Sequence, residues 1–162
     1  MDKKTITNSN LETIKLGEEF AKRLKSLDIV LLYGELGSGK TTFVQGLAKG
    51  LKISDRILSP TFVLHRSHRI PKRGIKTLNH IDLYRIETHT EIESLGLEEV
   101  VRQDSSIAVI EWADRLPDFK QGQGYKIWFK YLGKDKREIL IVPMVVSIRD
   151  PARMKFVGKR YE

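Results

Sequence analysis

The chain contains no cysteine among its 162 residues. This removes disulfide bonding and any thiolate metal site from consideration. No apolar run approaches the roughly 18 residues that a membrane-spanning helix needs. The opening Met1-Asp2-Lys3-Lys4-Thr5 leads into no apolar segment of the signal-peptide kind. The expectation is therefore a cytoplasmic protein with no membrane partner. Internal repeats, low-complexity tracts and composition-shift linkers are absent, which favours one domain over residues 1–162 with a basic tail from about 147. No zinc, helix-turn-helix or RNA-binding signature occurs. His65, His68 and His89 have no metal-ligand spacing, His80 reads as a structural histidine, and nothing suggests a Ser-His-Asp arrangement.

What is present is an ordinary globular composition, 40% hydrophobic and 31% charged, with a formal net charge of +8. That balance favours phosphate-bearing partners. The basic residues gather from His65 to Lys76 and from Arg149 to Arg160.

Periodicity orders the rest. Ser9-Asn10-Leu11-Glu12 has capping-box spacing, and the apolar positions after it predict a helix over about 10–26. Ile29 to Tyr33 reads as a buried strand. Gly34 to Gly39 must be a loop, and Phe43, Val44, Leu47, Ala48 and Leu51 then mark one face of a helix. Ser59-Pro60 interrupts the pattern. Strands follow at 61–67 and 77–84, joined by a turn-like Pro71-Lys72-Arg73-Gly74. A short helix is expected over 90–95, with Glu93 at capping-box spacing and Gly96 ending or kinking it, and a further turn over 97–102. Ser106 to Ile110 is a second buried strand, Asp114 to Gly124 a loop, and 125–131 with 138–146 a hairpin about Gly133-Lys134-Asp135. This order predicts an α/β fold with a mixed, mostly parallel central sheet flanked by helices.

The chemistry concentrates in Gly34-Glu35-Leu36-Gly37-Ser38-Gly39-Lys40-Thr41-Thr42, which fits the phosphate-loop pattern Gly-x4-Gly-Lys-Ser/Thr. The glycines let bare amides approach phosphate oxygens. Lys40 offers charge to β- and γ-phosphates, Thr41 a hydroxyl to magnesium, and the helix beyond its positive end. Such a loop needs acids to hold magnesium and place a water. Asp82 lies within an apolar strand, and Glu111 ends one, where α/β sheets bind ligands. Trp112 follows directly and reads as packing or as a lid.

These segments, with Ser59-Pro60-Thr61-Phe62, His80-Ile81-Asp82-Leu83-Tyr84-Arg85, Leu95-Gly96-Leu97-Glu98-Glu99 and Ile110-Glu111-Trp112, resemble the TsaE family (also called YjeE), from about Leu16 to Leu116. The resemblance implies a single-domain P-loop NTPase that binds ATP and magnesium. It implies work with the TsaB–TsaD pair, which transfers threonylcarbamoyl to an adenosine of tRNAs reading ANN codons. Lys40 matches the phosphate lysine and Thr41 the magnesium hydroxyl. Thr61 falls in a switch-like segment, Asp82 and Glu111 match acids near magnesium and the attacking water, and Trp112 the tryptophan beside them. Ser38 stands where the family usually has alanine. The stretch near Asn8 and the turn near Gly133 are candidates for adenine contact. The basic link from Arg66 to Lys76 departs from the family and is compatible with a salt-sensitive tRNA contact. A small-molecule kinase and a non-enzymatic nucleic-acid-binding module are the competing readings.

Overall fold

The computed structural model describes residues 2–58, 64–72, 74–116 and 122–144. Thr61, with the rest of its Ser-Pro-Thr segment, and the basic tail lie outside these residues.

The frame is set by β2 (Ile29–Tyr33), a strand apolar along its whole length. Successive side chains of a strand point to opposite faces. Val30 and Leu32 therefore enter one core and Ile29 and Leu31 the other. A strand of this kind requires cover on both faces, which is the condition of a parallel sheet. Its neighbours are β5 (Ser106–Glu111) and β6 (Gly124–Gly133), both parallel to it, and β4 (Ile75–Asp82) lies parallel beyond β5. The edges are antiparallel: β3 (His65–Lys72) on β4, and β7 (Lys136–Met144) then β1 (Lys3–Thr7) on β6. The seven strands run in the order β1-β7-β6-β2-β5-β4-β3. The sheet is thus mixed, with a parallel centre, as expected from the alternation of strands and helices.

On one face pack α1 (Asn10–Phe20) and α2 (Lys40–Gly50); α3 (His89–Ser94) and α4 (Leu97–Val101) contribute to the core of the other. The contact between α1 and α2 is close because glycines meet backbone: a Cβ at Gly17 would strike Phe43 O, and one at Gly46 would strike Ile14 O.

Several boundaries differ from the sequence reading. The first helix stops at Phe20, with a 3₁₀ turn over Ala21–Arg23. Asp28 Oδ2 accepts from Lys25 N at 2.8 Å and Leu27 takes φ 68°, which bends the chain into β2. The Ser9 cap is present, but Glu12 reaches back to Asn8 N, one residue earlier than a capping box requires. In α3 the reciprocal cap is Thr88 with Glu91, not Thr90 with Glu93. β4 ends at Asp82, where Oδ1 accepts from Tyr84 N. The outer hairpin turns later than expected, with Pro71 and Lys72 still in β3. β1 was invisible in sequence because its single buried residue, Thr7, gives no alternating apolar signal.

Gly46→Ala is expected to lower stability by about 1–3 kcal/mol through overpacking, despite alanine's better helix propensity. Urea unfolding checks this: the midpoint should fall at unchanged slope. An unmoved midpoint would show that α1 and α2 have room to separate.

Candidate functional site

The parallel strands β2, β4 and β5 end on one edge of the sheet, and the loop from β2 to α2 closes over them. Such an edge is where open α/β sheets bind ligands. The loop's shape depends on two glycines. Gly34 has φ 141°, and a Cβ there would meet Phe129 O at 2.6 Å; Gly39 has φ 103°, and a Cβ would meet Arg137 Nε at 2.5 Å. Gly39 is also the N-cap of α2 and provides no side-chain cap. The first-turn amides of α2 are thus left for an outside acceptor.

Lys40 is only 4% exposed. Its Nζ donates to Gly34 O at 2.6 Å and Glu35 O at 2.9 Å, and lies 4.0 Å from the centroid of the Trp112 ring. The ammonium is therefore folded back on its own loop and on an aromatic face. Burial pushes its pKa down; Glu111, Asp114 and Asp82 oppose that shift by their charge. An anion entering the cleft would act in the same direction as those carboxylates.

Register brings the two acids together. Asp82 and Glu111 are directly opposite on the parallel pair β4–β5, and both are buried. Glu111 accepts from Thr41 Oγ1 at 2.9 Å on Oε2 and 3.1 Å on Oε1, and His80 Nε2 lies 2.8 Å from Oε1. The first turn of α2 is thereby fastened to the end of β5 by a charge-assisted bond. Trp112 follows Glu111 with φ 59°, a left-handed conformation that costs a bulky residue about 1–3 kcal/mol. This turn lays the indole over Lys40, and Tyr84 covers its other surroundings at 4.9 Å between ring centroids.

The resulting cleft, about 270 Å³, is lined by Leu36, Gly37, Ser38, Gly39, Lys40, Thr41 and Thr42 together with Asp82, Glu111 and Trp112. Gly34 and Glu35 contribute carbonyls to Lys40 rather than lining it. Every residue singled out in the sequence for phosphate, metal or water and lying within the described residues is therefore in or directly beneath this one place; Thr61 lies outside them, and the adenine candidates Asn8 and Gly133 are not among the lining residues. Among the described residues, no three His, Cys, Asp or Glu side chains cluster as a protein-only metal cage.

Sequence reasoning missed three participants. Arg137, on β7, reaches behind Gly39 and donates to Asn10 Oδ1 at 2.7 Å and Asp135 O at 2.8 Å. It thereby joins the start of α1, the β6–β7 turn and the loop. Asp114 acts on Lys40 by charge. His80 holds Glu111. No motif announces the first two, since long-range tertiary contact alone brings them in.

Residues 7–139 match the family model described as "Threonylcarbamoyl adenosine biosynthesis protein TsaE". The chain belongs to the TsaE family. That family serves tRNA threonylcarbamoyladenosine biosynthesis. Similar relatives bearing the name tRNA threonylcarbamoyladenosine biosynthesis protein TsaE include one from a Nostoc species, 39% identical over 144 residues, covering 85% of this chain and 84% of that one. Another, from Bacillus subtilis, is 34% identical over 151 residues, covering 93% and 84%. The crystal structure of Bacillus subtilis YdiB superposes with a TM-score of 0.68 at 28% identity, over 90% of this chain and 87% of that one. No helix among the described residues is long and apolar enough to cross a membrane.

In this TsaE family member, an anion that draws Lys40 forward removes a cation from the Trp112 face. Adding pyrophosphate is expected to change tryptophan emission. Trp112→Phe should abolish the change and Trp128→Phe should keep it. A response surviving Trp112→Phe would show that the anion does not engage Lys40.

Proposed function

We propose that this chain is a P-loop ATPase of tRNA threonylcarbamoyladenosine biosynthesis, hydrolysing magnesium–ATP in complex with the TsaB–TsaD pair in the cytoplasm. One observation carries the reading. Lys40, Thr41, Asp82 and Glu111, from three separate segments of chain, converge on a cleft whose floor is the open amide end of α2.

The donor set fits magnesium. Thr41, Glu111 and Asp82 offer a hydroxyl and two carboxylates, all hard oxygens, and the absence of a full cage among the described residues suits an ion completed by water and phosphate. Magnesium there would neutralise charge on the transferring phosphoryl group. Lys40 exchanges its two carbonyl partners for phosphate oxygens. The loop amides from Gly37 to Thr42 hold the remaining oxygens, and Trp112 shields the cleft. Glu111, fastened to Thr41, would hold the metal. Asp82, with one oxygen on the Tyr84 amide, orients the attacking water. With Lys40 satisfied internally, the isolated chain has reason to turn over slowly.

Arg66, Arg69 and Lys76 are exposed on the outer hairpin, and no ion pair is found for them among the described residues. We assign this hairpin a contact with tRNA phosphates in the assembled complex.

ATP hydrolysis should be slow alone and rise with TsaB–TsaD. Glu111→Ala should lower the stimulated rate by about 10²–10³-fold, the scale of removing a charge-stabilising group. Fast turnover without partners that survives Lys40→Ala would overturn the reading, as would ATP-dependent phosphorylation of a small metabolite. Neutralising Arg66, Arg69 and Lys76 together is expected to weaken tRNA binding by the complex and flatten its salt dependence. Unchanged binding removes tRNA from that surface.

A further inference from the structure

His80 is completely buried, yet the chemistry proposed above gives it no task. It lies on β4 two residues before Asp82, so both side chains point to the same face of the sheet. Register sets His80 opposite Val109 and Asp82 opposite Glu111. Leu78, on its own strand and face, and Ile107 and Val109, on β5, belong to the apolar core.

Filling space does not explain an imidazole there. Its Nδ1 is buried without a hydrogen-bond partner among the described residues, while Nε2 lies 2.8 Å from Glu111 Oε1. A buried polar ring using half of its hydrogen-bonding capacity is disfavoured against a hydrocarbon of similar size. The contact with Glu111 is what distinguishes histidine from leucine at this position.

That contact resolves an ambiguity. Thr41 Oγ1 lies within hydrogen-bonding range of both carboxylate oxygens, at 2.9 and 3.1 Å. A single hydroxyl shared between two equivalent oxygens does not fix the plane of the carboxylate, whose terminal torsion is broad. His80 reaches from the neighbouring strand and engages Oε1 alone, and the tautomer with its proton on Nε2 donates to it. Oε2, the nearer of the two to Thr41 Oγ1, is then the oxygen that His80 leaves unengaged.

We infer that His80 is a positioning residue that sets which oxygen of Glu111 is presented, beside the Thr41 hydroxyl, to a divalent cation. The inference rests on the magnesium reading of the cleft. Partners that orient metal-ligating carboxylates typically change metal affinity by about 10–100-fold when removed.

The test is equilibrium binding of a fluorescent ADP analogue to the full chain, in EDTA and across a magnesium titration. His80→Leu removes the donor. His80→Gln keeps a donor near the Nε2 position, and His80→Asn places it too short to reach. In EDTA, His80→Leu should bind the analogue within about twofold of wild type, since among the described residues the imidazole bonds to Glu111 and not to the loop. Its magnesium midpoint should rise by about tenfold or more. His80→Gln should return toward the wild-type midpoint and His80→Asn should not. If His80→Leu fails to fold, the contrast between the Gln and Asn variants decides. The inference is overturned if the variants share the wild-type magnesium curve, or if they lose magnesium-free binding to the same degree, which marks a general structural role. A wild type whose binding ignores magnesium overturns the magnesium reading itself, and this inference with it.

Discussion

The hydrogen bond from Thr41 to Glu111 is the contact on which the arrangement of the cleft depends. It joins the first turn of α2 to the last residue of β5 across 70 positions of sequence. Both ends are fixed independently. α2 is held against α1 by glycines that allow backbone to meet backbone, and β5 is the inner neighbour of β2 in the parallel centre. Because both elements are rigid, the hydroxyl and the carboxylate meet without ordering a loop. A carboxylate buried to this degree is costly without donors, and Thr41 and His80 supply them.

Around that contact the loop is arranged to be self-satisfied. Lys40 lies on two carbonyls of its own loop and on the Trp112 face, and the three carboxylates that act on it offset the burial that lowers its pKa. Strain is spent at Trp112, whose left-handed backbone turns the indole over the ammonium. A site satisfied internally in this way releases Lys40 only to a stronger acceptor. On the function we propose, this is the physical reason for a low basal rate that partners would raise.

Much of this was legible in the sequence, for identifiable reasons. The loop from Gly34 to Thr41 is local, and its glycines, lysine and threonine have fixed spacing. Asp82 and Glu111 were legible because a carboxylate in or just after an apolar strand is unusual enough to demand an explanation. Their mutual placement needed the parallel register of β4 and β5, which no local pattern specifies. The edge strand β1 and the link from Arg137 to Gly39 were not legible at all. The first has too few apolar residues to show a period, and the second is a contact between the two ends of the fold. Cap positions slipped by one or two residues because Thr88 and Thr90 offer competing starts for the same short helix.

On the function we propose, Lys40 and its loop bind the phosphates of ATP. Calorimetric titration of ATP with magnesium into wild type and into Lys40→Ala measures it most directly. Wild type should show one saturable site, and the variant should bind roughly 10- to 100-fold more weakly, the scale of losing a charged contact. Equal affinity in the two proteins would show that Lys40 takes no part in holding the phosphates.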